Sequence, residues 1–161
     1  MKITGLIFIF AAFSATGFYF SEKYISLLND IKRADLFLKN LIFGIKCEHM
    51  TVYEIFKEII KNCYKKTKNF LSDISPENFE KISEYSEKSG FCKNKTANSI
   101  LEEAFFVLGK YSASEQEPEL EFCRGKLKAL YEKNEHDFLS KAKLSKSFGI
   151  LSGLFAVIVL F

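Results

Sequence analysis

Residues 3–20 read ITGLIFIFAAFSATGFYF, a run of 18 residues without a charged side chain. A helix rises about 1.5 Å per residue, so this run nearly matches the roughly 30 Å hydrocarbon core of a bilayer. The pattern predicts a spanning helix, and we place this first anchor at residues 1–21. The alternative is a secretory leader, with Ala12 and Ser14 as the small residues before a cleavage point. The apolar run continues past that point to Phe20, which favours a retained anchor.

A second apolar run, residues 148–161, reads FGILSGLFAVIVLF. These 14 residues alone are short for a span, but a helix that begins at Leu144 reaches about 27 Å. The ammonium groups of Lys143 and Lys146 would then extend to the lipid headgroups. A buried core helix is the alternative for a run of this length. Because the run is apolar on every side, we predict a second anchor at residues 144–161.

The residues between the two runs carry nearly all the charge. All 20 acidic residues lie between Glu22 and Asp137, and Lys2 is the only one of the 23 basic residues outside 23–146. We assign residues 22–143 to one domain. The net charge of +3 is too small to indicate a nucleic-acid partner. Two prolines and eight glycines in 161 residues favour helices over a turn-rich β-protein.

Apolar residues recur in this domain at the spacing of amphipathic helices. The first stripe continues the first anchor and consists of Ile25, Leu28, Ile31, Leu38, Leu41, Ile42 and Ile45. A later stripe consists of Ala97, Ile100, Leu101, Ala104, Phe105 and Leu108. The last consists of Leu120, Cys123, Leu127, Leu130, Tyr131 and Phe138, with no helix breaker before the second anchor. The predicted fold is all-α, a helical bundle domain between N-terminal and C-terminal transmembrane helices.

Local signals predict where several of these helices begin and end. Thr51 and Glu54 form a capping box, in which each side chain accepts a hydrogen bond from a free backbone amide. The pair Ser75–Pro76 is typical of another helix start, and Gly90 is typical of a helix end. Pro118 predicts the start of the last helix.

Basic residues cluster on the domain side of both anchors. Lys23, Lys32, Arg33 and Lys39 follow the first anchor, and Lys133, Lys141, Lys143 and Lys146 precede the second. Since basic residues near spans favour the cytoplasmic side, the central domain is predicted to be cytoplasmic.

The sequence contains no pattern typical of an active site or metal centre. His49 and His136 are the only histidines and lie far apart, and Cys47, Cys63, Cys92 and Cys123 lack the short spacing of zinc ligands. Two disulfides are one interpretation of four cysteines, and four reduced thiols in a cytoplasmic domain are the other. Without a nucleophile motif or a phosphate-binding loop, we predict no enzyme, no cofactor and no small-molecule substrate.

Three groups of residues are candidates for interaction. The acidic stretch consists of Glu115, Glu117, Glu119 and Glu121, and the basic patch of Lys61, Lys65, Lys66 and Lys68. Each is interpreted either as a solvated surface or as a docking face for a partner of opposite charge. Gly149 and Gly153 form a G-x-x-x-G that permits close helix packing, either between the two anchors or between protomers. Ala11 and Ala15 offer a similar small face in the first anchor.

Several short stretches, taken in order, carry a family resemblance. Gly5–Ile7 opens the first anchor, Thr16–Phe18 lies near its end, and Thr51–Glu54 follows the first charged helix. Residues 147–154 read SFGILSGL and lead into an aliphatic tail. Over nearly its whole length the chain resembles the stage III sporulation protein AB family of endospore-forming bacteria, and the closing stretch is the most specific part.

The resemblance implies a non-enzymatic platform component of the channel that joins the mother cell to the engulfed forespore. It implies a central domain similar to the cytoplasmic domains of type II secretion and type IV pilus platform proteins. The implied partners are membrane lipid, an AAA-like secretion ATPase and other channel components, with a homo-oligomer left open. The implied location is the mother-cell membrane that faces the forespore. The alternative function is a secreted or surface-anchored helical binding protein with a cleaved leader.

Overall fold

The computed structural model describes residues 2–47, 51–62, 65–72, 74, 81–110 and 113–160. In these residues it contains six α-helices and no strand. The helices are α1 (Lys2–Cys47), α2 (Val52–Asn62), α3 (Lys65–Ser72), α4 (Ile82–Ser89), α5 (Lys95–Lys110) and α6 (Ala113–Leu160). The all-α prediction is confirmed.

The chain divides into two compact units. Residues 1–28 with 133–161 form one, here called the anchor unit, and residues 29–132 form the other, here called the helical unit. Both α1 and α6 contain a stretch long and apolar enough to cross a membrane, by length and composition. Only 11% of each stretch is buried, and Phe8 and Phe155 are 74% and 69% exposed. An exposed apolar surface of this kind is favourable in lipid and costly in water.

Five phenylalanines occupy the centre of the helical unit, and each comes from a different helix or connecting segment. The ring centroid of Phe37 lies 5.7 Å from that of Phe105, with the rings stacked. The stacked rings of Phe70 and Phe91 are 4.4 Å apart, and Phe56 lies 6.0 Å from Phe105. All five are buried. Each such pair contributes about 0.5–1.5 kcal/mol beyond its burial, so the cluster holds α1, α2, α3 and α5 together.

The apolar stripes coincide with the buried faces of α1 and α5. Every residue of the α1 stripe is buried except Ile25, which is half-buried. All six predicted positions of α5 are buried. Helix α3 was not predicted, because its eight residues include only two apolar ones, Phe70 and Leu71. Phe37, at the centre of the aromatic cluster, lies outside the predicted stripe.

The helix ends follow two of the predicted signals. The backbone amide of Thr51 donates to Glu54 Oε2 over 2.8 Å, and the amide of Glu54 donates to Thr51 Oγ1 over 3.4 Å. This capping box lowers the pKa of Glu54, first through the Thr51 amide. Gly90 ends α4 in the left-handed conformation, with φ of 68°, which glycine adopts without steric cost.

The predicted start of the last helix is wrong. Helix α6 begins at Ala113, and Pro118 lies inside it. Proline has a fixed φ that suits a helix, and near the N-terminus its missing N–H removes only one intrahelical hydrogen bond. The predicted start at Ser75–Pro76 lies outside the described residues.

Candidate functional site

In the anchor unit, the backbones of α1 and α6 touch at Gly17 and Gly149. A Cβ placed on Gly17 would lie 2.7 Å from Gly149 Cα and 2.7 Å from the Ser145 carbonyl oxygen. A Cβ on Gly149 would lie 2.7 Å from Gly17 Cα and 3.0 Å from the Phe13 carbonyl oxygen. No side chain fits in this space, so the packing of the two helices requires glycine at both positions.

Gly153 faces the same partner helix one turn further along α6. A Cβ there would lie 3.1 Å from a ring carbon of Phe10 and 3.2 Å from the Phe10 carbonyl oxygen. Both glycines of the G-x-x-x-G therefore pack against α1 of the same chain. Ala11 and Ala15 are exposed and do not form the matching face. They lie six and two residues before Gly17, a spacing that places them on another side of the helix.

A groove runs beside this glycine contact and encloses about 350 Å³. Two hydroxyl groups that line it are already bonded within their own helices. Thr16 Oγ1 donates to the Ala12 carbonyl oxygen over 2.8 Å, and Ser152 Oγ donates to that of Phe148 over 2.6 Å. The lining residues are Phe13, Thr16, Gly17, Phe20, Leu144, Ser145, Phe148, Gly149 and Ser152.

The acidic stretch lies in the first turns of α6, and its four carboxylates divide between two faces. Glu115 and Glu119 are exposed and lie four residues apart, on one face. Glu117 and Glu121 lie on another face, where Glu117 pairs with Lys46 Nζ of α1. Glu121 Oε2 lies 3.5 Å from Arg124 Nη1. Glu115 and Glu119 therefore share one exposed acidic face, and Glu117 and Glu121 share another.

The basic patch spans the end of α2 and the length of α3. Lys61, Lys66 and Lys68 are exposed, and the side chain of Lys65 lies outside the described part of the structure. Lys66 and Lys68 are two residues apart and point to different sides of α3, with buried Thr67 between them. The patch is therefore a charged rim around α3 rather than one flat surface.

The helical unit contains a buried ion pair that the sequence did not predict. Asp30 is only 2% exposed, and its Oδ1 lies 3.1 Å from Arg33 Nη1. Its other oxygen accepts a hydrogen bond of 2.8 Å from the Lys93 backbone amide. Arg33 Nη1 also donates to the Phe91 carbonyl oxygen. Burial raises the pKa of Asp30, against the lowering effects of the Lys93 amide and of Arg33.

Besides the Glu117–Lys46 pair, two further ion pairs join α6 to its neighbours, and neither is fully buried. Arg124 Nε lies 3.1 Å from Asp35 Oδ1 on α1, and Lys126 Nζ lies 2.7 Å from Glu103 Oε1 on α5. Surface pairs of this kind contribute at most about 1 kcal/mol each.

The two cysteines whose side chains the structure describes, Cys92 and Cys123, are buried. Cys92 and Cys123 are free, and burial raises the pKa of Cys92 to about 12 and that of Cys123 to about 11. Neither therefore supplies a reactive thiolate at neutral pH. Within the part of the chain that the structure describes, no three His, Cys, Asp or Glu side chains are grouped as metal ligands. His136 is exposed, and His49 lies outside that part.

The family model for stage III sporulation protein AB matches residues 2–161. The chain belongs to this family. Membership of the family gives the protein a role in sporulation, and the family is not a known enzyme family. No curated protein and no solved structure gives a match. The family assignment made from the sequence is confirmed.

The sequence analysis did not predict the close contact at Gly17 or the Asp30–Arg33 ion pair. A glycine inside an apolar helix costs about 0.5–1 kcal/mol relative to alanine, so its presence at position 17 was a usable signal of close backbone approach. No comparable pattern in the sequence indicates which residues pair with Asp30. Phe91, whose carbonyl oxygen Arg33 contacts, lies 58 residues away in the chain.

Proposed function

We propose that this protein is a non-enzymatic platform component of the channel between the mother cell and the forespore. In this proposal the anchors lie in the mother-cell membrane that faces the forespore, and residues 22–143 are cytoplasmic. The Gly17–Gly149 contact is the observation that carries the proposal. It supports a membrane hairpin made from both ends of the chain, which suits a component that holds a domain at the membrane.

The same contact supports a retained N-terminal helix. A leader cleaved near Ala12 and Ser14 would remove Phe10, whose carbonyl oxygen and ring face Gly153. The α6 helix would then lose a large part of its packing surface. The alternative of a secreted binding protein with a cleaved leader is therefore less favoured than the platform protein.

The proposed partner is an AAA-like secretion ATPase on the cytoplasmic side. Helices α1 and α6 each contribute residues to the anchor unit and to the helical unit. A force on either helix can thus pass along its backbone hydrogen bonds, without an intervening loop. The exposed face of Glu115 and Glu119 and the basic patch are the candidate docking surfaces.

Charge reversal tests the docking surface. We expect Glu115→Lys with Glu119→Lys to abolish binding of the ATPase in detergent extracts and to reduce the count of heat-resistant spores. The matched control is Glu84→Lys with Glu87→Lys, which makes the same charge change at exposed positions on α4. Equal effects of both pairs would show that only net charge matters and would remove this docking face.

A fluorescent fusion and a deletion test the platform function itself. The fusion is expected at the mother-cell membrane around the engulfed forespore, and the deletion is expected to block spore maturation. Normal spore formation without the protein would contradict the proposed function.

A further inference from the structure

The groove beside the glycine contact is suited to an apolar chain. Its walls include the rings of Phe13, Phe20 and Phe148, and its floor lies where Gly17 and Gly149 lack side chains. The hydroxyl groups of Thr16 and Ser152 are bonded within their own helices. An apolar chain in the groove would therefore bury neither hydroxyl without a hydrogen-bond partner. A polar ligand would find no free hydroxyl donor on these two residues.

Two lysines lie at one end of the groove. Lys23 is three residues after Phe20, and Lys141 is four residues before Ser145, so each lies about one turn beyond a residue that lines the groove. The two helices run antiparallel, since Gly17 meets Gly149 and Tyr24 meets Phe138. Lys23 and Lys141 therefore flank the same end from opposite helices, and both are exposed.

Four lysines (Lys23, Lys141, Lys143 and Lys146) and two carboxylates (Glu22 and Asp137) lie near this end, so its net charge favours an anion. Lys141 Nζ lies 2.7 Å from Asp137 Oδ2, but both side chains are about half exposed, at 49% and 58%. An exposed pair of this kind is weak and open to competition from a stronger anion. Beyond Asp137 the sequence contains no acidic residue. The groove thus joins an apolar channel to a basic end, the two features of an anionic phospholipid site.

We propose that the groove and its two flanking lysines bind one anionic phospholipid. An acyl chain lies along the groove, and the phosphate lies between the ammonium groups of Lys23 and Lys141, where it competes with Asp137. The inference rests on the membrane placement in the proposed function. It adds to that function a site that selects lipid at the contact between the two anchors.

The test uses the full-length protein in non-ionic detergent and native mass spectrometry to count bound lipid. Phosphatidylglycerol is compared with phosphatidylcholine of identical acyl chains. We expect one phosphatidylglycerol per chain and weaker binding of phosphatidylcholine. Lys23→Ala with Lys141→Ala should weaken the binding of phosphatidylglycerol about 25-fold, or about fivefold per lysine.

A matched pair of lysines controls for bulk charge. Lys143→Ala with Lys146→Ala removes the same charge near the same end. Lys143 is two residues from Lys141 and from Ser145, on another side of α6, and Lys146 Nζ lies 5.7 Å from the ring centroid of Phe18, which does not line the groove. This pair should leave binding within about twofold of the unchanged protein.

Two further variants separate the groove from the lysines. Ser152→Phe fills the groove and leaves both lysines in place, so it should weaken phosphatidylglycerol binding at least fivefold. Asp137→Asn removes the competing carboxylate and should strengthen binding severalfold. Circular dichroism of each variant in detergent checks that the helices are retained.

Five outcomes would overturn the site. Equal losses in both lysine pairs would indicate attraction by bulk charge, and equal binding of the two lipids would indicate an apolar groove without headgroup selection. A chain dimer that Ser152→Phe dissociates would show that a second copy fills the groove. A protein that stays in solution without detergent would contradict the membrane placement and the proposed function as well. A detergent-dependent protein that binds no phosphatidylglycerol contradicts the lipid site alone.

Discussion

Gly17 of α1 and Gly149 of α6 face each other, and each occupies the space that a Cβ of the other would need. The hypothetical Cβ on either residue would come within 2.7 Å of the opposite Cα. A contact this short leaves no freedom to shift one helix along the other without a clash. It therefore sets both the distance and the register of α1 and α6 in the anchor unit.

A larger residue at this contact should separate the helices. We expect Gly149→Leu to lower the free energy of unfolding by about 1–3 kcal/mol, the usual cost of overpacking. The measurement is thermal or denaturant unfolding of the full-length protein in detergent. Gly5→Leu is the control, because a Cβ at Gly5 meets no atom within 4 Å. Equal stability of the two variants would show that the close contact is not formed in the membrane protein.

Removal of the buried Asp30 carboxylate should destabilise the helical unit strongly. Asp30→Ala leaves the Arg33 guanidinium and the Lys93 amide without this acceptor, at an expected cost of about 3–5 kcal/mol. Asp35→Ala breaks the more exposed pair with Arg124 and should cost about 1 kcal/mol or less. Both costs in unfolding free energy are to be measured by denaturant unfolding, monitored by circular dichroism. Similar losses in the two variants would contradict the burial of Asp30.

The raised pKa of Asp30 predicts the sign of a pH effect. The folded state holds the proton of this carboxyl more tightly than the unfolded state does, so its contribution to stability falls as pH rises through the folded pKa. Relative to Asp30→Asn, the unchanged protein should therefore gain stability as pH falls from 7 towards 4. The difference in unfolding free energy between the two proteins measures this effect. A difference that shrinks as pH falls would mean that the Lys93 amide and Arg33 outweigh burial.

Cys92 and Cys123 should react slowly with maleimide in the folded protein. With a pKa of about 12, roughly one Cys92 thiol in ten thousand is ionised at pH 8. In a chain with Cys47→Ser and Cys63→Ser, labelling of Cys92 should rise by roughly three powers of ten on unfolding, and that of Cys123 by roughly two. Adding Ser99→Cys supplies an exposed control thiol on α5 that labels quickly. Topology in intact cells is therefore better measured at position 99 than at Cys92, and fast labelling of folded Cys92 would be inconsistent with its burial.

The mature protein should retain its N-terminal helix. Phe10 and Phe13 both face glycines of α6, so the packing of the anchor unit requires residues that leader cleavage would remove. Intact mass and N-terminal sequencing of the protein from sporulating cells should give a chain that includes Met1–Phe20. A shorter mature chain would support the secreted binding protein instead.

Much of the fold could be predicted because helix periodicity is a local property. The six apolar positions of α5 and the capping box at Thr51 needed no knowledge of what packs against them. Helix α3 and Phe37 were missed for the opposite reason, since their burial depends on rings from other helices. The four glutamates of the acidic stretch look equivalent in sequence, but the structure divides them between two faces of α6, and on one of these Glu117 pairs with Lys46 of α1.

The sequence by itself determined the apolar character of both terminal helices, the charged middle and the family. Hydropathy and periodicity depend on nearby residues and need no partner. Only the tertiary structure decided that Gly17, and not Ala11 or Ala15, meets Gly149, and that a groove opens beside them. Only the tertiary structure showed that Arg33 donates a hydrogen bond to the carbonyl oxygen of Phe91, 58 residues further along the chain. Such contacts depend on which helix faces meet, and that choice is made when the whole chain packs.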